Sequence, residues 1–290
     1  MRLGLQIPRW HWKGGAAEIA PTLARIGRAA DAAGYSSVWV MDHLFQIRSI
    51  GNVEEEMLEA YTTLGFLAAH TSRVRLGTLV TAAPYRQPGL LIKQVTTLDV
   101  LSGGRAWLGL GAGWYEREAR GLGLTFPRRR DRFLILEDTL RLAKHMWASN
   151  SAEFRGRAVV ANEPLDVPSP LSRPHPPILI GGGGEQLTLR FVAQYADASN
   201  FFGRLSDDEL RHKLDVLRRH CDDRGRDFAS VEKTVLTQWD PLRKRSQVLE
   251  QLERFSKLGF QTVIASLRDV QNVEPIEAVG RDIVPAASAL

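Results

Sequence analysis

The chain predicts a (β/α)8 TIM barrel, and three observations lead there. Short apolar runs alternate with longer amphipathic ones along the whole length, no turn of the Asn-Gly type separates neighbouring runs, and roughly eight strand–helix units fit into 290 residues. Alternation without hairpin signals argues for a parallel sheet, and eight units in one chain favour closure over a doubly wound sheet.

In order, the strand candidates are Leu3–Ile7, Ser37–Met41, Val74–Val80, Ala106–Leu110, Ile178–Ile180, Ala198–Phe201, Lys233–Thr237 and Thr262–Ala265. Between them the helical pattern covers about 16–33, 58–70, 88–101, 131–148, 185–196, 206–224, 246–258 and 274–283. Local punctuation supports these limits. Gly34 closes the first helix, Pro88 opens the third, Ser102-Gly103-Gly104 ends it, and Ser206 with Glu209 has the spacing of a capping box. Residues 149–177, rich in proline and polar groups, fit no strand–helix unit and read as an insertion before the fifth barrel strand, within a single domain spanning 1–290.

Composition narrows the function class. With 44% hydrophobic and 24% charged residues the chain can bury a large core. Cys221 is the single cysteine, so no intramolecular disulfide is possible and a reducing compartment suits it. Met1 runs straight into a strand-like segment, with neither a secretion signal nor a membrane span, which predicts a cytoplasmic protein. The net charge of +5 is spread along the chain except at Arg128-Arg129-Arg130-Asp131-Arg132. That cluster suits solvation, an anionic cofactor tail or nucleic acid. No nucleic-acid-binding module is present, so a nucleic-acid partner is not expected.

The stretch that carries most chemistry follows the fifth strand, where Gly181 to Gly184 lead into a helix with Leu187, Phe191 and Val192 at helical spacing. Glycines let the backbone approach a ligand, and unpaired N–H groups at a helix start attract an anion. The plainer reading is a flexible turn. No Lys-Ser or Lys-Thr follows, which sets aside a Walker loop, and Gly109-Leu110-Gly111-Ala112-Gly113-Trp114 fails the dinucleotide fingerprint.

Barrel chemistry gathers at the C-terminal strand ends. There, Asp42-His43 pairs an imidazole, able to carry a proton near neutral pH, with an acid; a structural pair closing the loop is the alternative. The remaining histidines show no metal-ligand spacing, so no metal is expected. Trp10, His11 and Trp12 form either an apolar wall for a planar ring or a plug over the barrel mouth, while Trp107 and Trp147 suit the core.

Several motifs in fixed order resemble the luciferase-like monooxygenase superfamily, in particular its flavin- and deazaflavin-dependent oxidoreductases. They are Leu3-Gly4-Leu5-Gln6, Ser37 to His43, Glu59 to Leu64, Val74 to Thr81, Thr97 to Arg105, Leu108 to Trp114, Phe126-Pro127 and the glycine segment through Tyr195-Ala196-Asp197. The resemblance implies a barrel with an insertion before the fifth strand, commonly a homodimer, binding coenzyme F420 or alternatively FMN. It places the cofactor against Asp42, Thr78, Leu79, Val80, Gly111, Ala112, Gly113 and Gly181, Gly182, Gly183 and Gly184, with a non-proline cis peptide at Leu79–Val80 behind the ring. It also implies His43 as proton carrier and a small-molecule substrate near Trp10, Trp12, Tyr61, Trp114 and Glu116. Some deazaflavin relatives carry a tryptophan shortly after the histidine and a glutamate after the fourth strand's glycines; here Ile47 and Trp114 stand instead. The leading expectation is an F420-dependent oxidoreductase that transfers a hydride. An FMNH2- and O2-dependent monooxygenase and a non-catalytic cofactor carrier or sensor are the alternatives.

Overall fold

The computed structural model describes residues 1–290. Its strands are β1 (Arg2–Ile7), β2 (Ser37–Val40), β3 (Arg75–Thr78), its short continuation β4 (Thr81–Ala82), β5 (Ala106–Gly111), the pair β6 (Phe154–Arg155) and β7 (Val160–Ala161), then β8 (Ile178–Gly181), β9 (Ala198–Phe202), β10 (Glu232–Trp239) and β11 (Thr262–Leu267). Every pairing in the main sheet is parallel, in the order β3-β2-β1-β11-β10-β9-β8-β5. Leu76 of β3 faces Ala106 of β5, and that contact closes the ring. The barrel read from strand–helix alternation is therefore the fold.

Ten helices surround it: α1 (Ala16–Ala32), α2 (Ala60–Ala69), α3 (Pro88–Leu101), α4 (Glu116–Gly121), α5 (Arg129–Trp147), α6 (Thr188–Tyr195), α7 (Asp207–Asp222), α8 (Arg245–Lys257), α9 (Glu274–Asp282) and α10 (Val284–Ser288). The capping box at Ser206 and Glu209 forms, and Pro88 occupies the first turn of α3, where a missing N–H costs nothing.

Four local expectations change. The third strand, read as one run to Val80, is interrupted where a cis peptide bond joins Leu79 to Val80. Residues 116–121 form α4, too short for its periodicity to stand out among the charges Glu116, Arg117, Glu118 and Arg120. Residues 149–177 hold the antiparallel pair β6–β7, with Phe154 facing Ala161. The helix after the glycines begins at Thr188 instead of 185, because the intervening residues turn more openly, with Leu189 N–H donating to the Gly184 carbonyl at 3.0 Å.

Two layers of apolar packing follow from the strand period of two. Outward-facing residues such as Leu5, Val38, Leu108 and Ile180 pack under the helices. Inside the barrel, Trp39, Leu79, Trp107, Leu179, Ala198 and Ile264 form a separate cluster. The indoles of Trp39 and Trp107 meet edge-on with centroids 5.7 Å apart. Gly77 makes room for them: a Cβ there would stand 2.7 Å from the Trp39 ring. This cluster fills the barrel interior, and Leu79, one of its members, lines the cavity at the C-terminal end.

Candidate active site at the C-terminal barrel mouth

The strand ends open into a cavity of about 1270 Å³. Each barrel strand contributes: Gln6 from β1; Met41, Asp42 and His43 after β2; Leu79 to Ala82 around β4; Gly111 to Trp114 after β5; Gly181 and Gly182 after β8; Asn200 of β9; Leu236 to Gln238 of β10; and Ser266 of β11. Trp12 and His11 line it from the loop after β1.

His43 faces this cavity, and its other side is held from α4. Nδ1 lies 2.7 Å from Oε1 of Glu118, a fully buried carboxylate. Glu118 also accepts the backbone N–H groups of Leu44 (2.6 Å) and Phe45 (3.0 Å) on Oε2, and the Tyr85 hydroxyl (2.6 Å) on Oε1. Burial alone would push its carboxyl up. The hydrogen bond and charge of His43, with the bonds from Tyr85 and Phe45, outweigh burial and hold it below the usual carboxylate range. Trp114, 62% exposed, stacks on Tyr115 and sets its edge against the imidazole, with centroids 5.4 Å apart.

Asp42 lines the cavity and is paired through both oxygens with Arg86 at 2.6 and 2.8 Å. Burial pushes the Asp42 carboxyl up, and the guanidinium fork opposes that. Arg86 reaches onward to Glu59, which caps α2 by accepting from Tyr61 N–H and Thr62 N–H, and it lies over the Tyr61 ring at 4.8 Å.

Around the cis bond a hydroxyl chain fixes the floor. Thr78 Oγ1 donates to the Gly109 carbonyl at 2.9 Å, so it accepts from Thr81 Oγ1 at 2.8 Å, which in turn accepts from the Tyr61 hydroxyl at 2.8 Å. Leu79 and Val80 line the cavity itself.

The glycine loop combines two purposes. Gly181 answers to packing, since a Cβ there would stand 2.8 Å from Val80 Cγ1, whereas Gly182 has a φ of +112°, which an L side chain rarely adopts. Beyond it, the backbone N–H groups from Gly183 to Thr188 donate to no acceptor. Thr188 lines the cavity together with Gly181 and Gly182. Lys213 of α7 reaches the Gly183 carbonyl at 2.9 Å and Glu185 at 3.2 Å.

The structure brings together at the cavity His43, Asp42, Leu79, Val80, Gly111, Ala112, Gly113, Gly181, Gly182, Trp12 and Trp114. It sets others apart. Thr78 and Tyr61 lie behind the floor in the hydroxyl chain, and Gly183 and Gly184 stand just beyond the lining. Trp10, 1% exposed, packs edge-on against Trp12 in the larger core cluster and does not line the cavity. Glu116 is turned to solvent and pairs with Arg120 one turn along α4. None of Arg128 to Arg132 lines the cavity; Arg132 lies over Phe126, and Arg128 pairs with Asp131. Sequence reasoning missed Glu118 and Arg86. The one available signal was a charged residue at a buried helical position, and α4 is too short to reveal which of its faces is buried.

The luciferase-like monooxygenase family model matches residues 1–286. The chain belongs to that family. Among luciferase-like relatives, an F420-dependent glucose-6-phosphate dehydrogenase of Kineococcus radiotolerans is 31% identical over 227 residues, covering 77% of this chain and 65% of that protein. An FMNH(2)-dependent dimethylsulfone monooxygenase of Pseudomonas putida is 28% identical over 176 residues, covering 60% and 48%. The chain thus spans about two thirds or less of the length of these two relatives. A solved coenzyme F420 dependent tetrahydromethanopterin reductase from Methanopyrus kandleri superposes with a TM-score of 0.79 at 15% identity, covering 98% of each chain. That likeness concerns the luciferase-like barrel. No helix is long and apolar enough to cross a membrane.

Proposed function

We propose that this luciferase-like protein is a coenzyme F420-dependent oxidoreductase that moves a hydride between the deazaflavin and a small organic substrate. The observation that carries the reading is the run of unpaired N–H groups from Gly183 to Thr188 at the edge of a cavity that also exposes His43. Such a run fits a phosphate, whose oxygens would take up the free donors, with the Lys213 ammonium close by. The cavity volume leaves room for a planar ring against Leu79 and Val80 and a substrate against Trp12 and Trp114. The F420 dependence named for the glucose-6-phosphate dehydrogenase relative supports the cofactor.

When bound, coenzyme F420 supplies a two-electron hydride carrier. The chain's own residues do the rest. The Gly183–Thr188 amides would hold the anionic end, and the floor of Leu79 and Val80 would back the ring. Trp12 and Trp114 exclude water from the substrate side. His43 would take up the proton that a substrate releases on oxidation, and would return one in reduction.

The dimethylsulfone monooxygenase relative supports a second reading, in which reduced FMN and dioxygen oxygenate the substrate in the same cavity. Titrating the protein with F420 and with FMN, read by quenching of its seven tryptophans, separates the two. Saturable quenching by F420 alone, at about micromolar affinity, is the expected result. Binding of FMN with FMNH2-dependent oxygen uptake would replace the first reading by the second, and binding of neither would remove both.

A further inference from the structure

We propose that Glu118 is the positioning residue of His43: it fixes the neutral imidazole as the Nδ1–H tautomer and so turns an unprotonated Nε2 toward the cavity. The argument is one of donor and acceptor supply. Oε2 of Glu118 is occupied by two groups that can only donate, the N–H of Leu44 and of Phe45. An ionised carboxylate accepts and does not donate, so the contact at 2.7 Å with His43 requires the hydrogen on Nδ1. The Tyr85 hydroxyl adds a second donor on Oε1, at 2.6 Å. These four contacts hold the carboxylate in one orientation inside the protein, and two of them also tie down the loop that carries the histidine.

The consequence is chemical. Nε2 makes no hydrogen bond within the chain, and His43 lines the cavity. With Nδ1 committed to Glu118, the neutral ring presents a lone pair to the cavity, and the protonated ring presents a donor whose charge is balanced by Glu118. The site is therefore built to receive a proton from a substrate O–H or N–H, and it returns that proton only after taking one up. A glutamate does stand beside the histidine in this chain: it comes from α4, four residues after Trp114, and touches the far side of the imidazole.

Nitrogen-15 NMR of the imidazole in the purified protein, with His43→Asn to assign the signal, tests this without any cofactor. The expected wild-type result, read at a pH where the ring is neutral, is a proton on Nδ1, far downfield from the bond to a carboxylate. In Glu118→Gln, Leu44 N–H and Phe45 N–H select the amide carbonyl at the Oε2 position and leave an NH2 group facing Nδ1, so the ring is expected to switch to the Nε2–H tautomer. In Tyr85→Phe the Nδ1–H tautomer is expected to persist. A wild-type ring protonated at Nε2, or a folded Glu118→Gln protein with an unchanged tautomer, would overturn the proposal; the wild-type measurement decides even if the variant fails to fold.

The value of this tautomer for turnover rests on the reading of His43 as proton carrier, and the two claims fail separately. With an F420-reducing substrate in hand, Glu118→Gln should lower kcat at least tenfold with little change in KM, and Glu118→Asp should recover part of it. The expected tautomer without that loss of kcat would leave the positioning claim standing and remove His43 from the chemistry.

Discussion

The side chain of Val80 fills the space that a side chain at Gly181 would need: a Cβ there would stand 2.8 Å from Val80 Cγ1, and one at Gly111 would stand 2.9 Å from Val80 Cγ2. Two of the glycines that read as ligand-approach positions thus owe their identity at least in part to the cavity floor. Gly181→Ala is expected to cost about 1–3 kcal/mol through overpacking. Gly109→Ala should cost more, because its Cβ would meet the Thr78 carbonyl oxygen at 1.8 Å, and backbone cannot swing aside as a side chain can. Urea unfolding of both variants checks the order. Adding Val80→Ala should rescue Gly181→Ala and leave Gly109→Ala unrescued.

Arg86 is the counter-charge of a buried carboxylate. Arg86→Leu leaves Asp42, 2% exposed, without its partner and should destabilise by about 3–5 kcal/mol. The double change Asp42→Asn with Arg86→Leu should be the milder one, since no unpaired buried charge remains. A double-mutant cycle in urea measures the difference, and equal losses in the single and double variants would contradict the assignment.

Acid should weaken the protein through Glu118. Its folded carboxyl titrates below the ordinary range, where the unfolded chain titrates at about 4.3. In that window the unfolded state binds more protons, so stability rises with pH: the contribution is fully present above about pH 5 and is lost as pH falls through the folded pKa. Asp31 and Glu59 are also held below the ordinary range and act in the same direction. Unfolding free energies of wild type and Glu118→Gln, measured across about pH 3 to 6, should show a shallower slope in the variant.

Trp114 lies at the cavity with most of its surface in solvent. Trp114→Ala should therefore shift stability by no more than about 0.5 kcal/mol. If the indole forms a wall for substrate, KM should rise while cofactor affinity stays within about twofold. A large loss of thermal stability would show that Trp114 is a packing residue instead.

Legibility followed distance along the chain. The strand ending in the glycines is expected at 178–180 and ends at Gly181, because three apolar residues after a proline pair have few other places to go. Asp42 and His43 were legible at a strand tip for the same local reason. By contrast, Glu118 sits in a short segment of alternating charges and Arg86 in an ordinary loop, and both look solvated. Their partners are 75 and 44 residues away. Trp10 and Trp12 look alike in sequence, and the fold of the loop after β1 buries both in one core cluster while letting only Trp12 also line the cavity.

Local patterning by itself determined the barrel, because the alternation of apolar periods leaves a closed parallel sheet as the economical way to bury every strand. It also determined that a glycine loop and a histidine would share one rim. Tertiary structure alone decided which carboxylate holds that histidine, which arginine neutralises the acid beside it, and why Gly181 must lack a side chain. Each of these depends on groups that closure of the ring brings within a few ångströms of one another, and no pattern in a linear chain records that proximity.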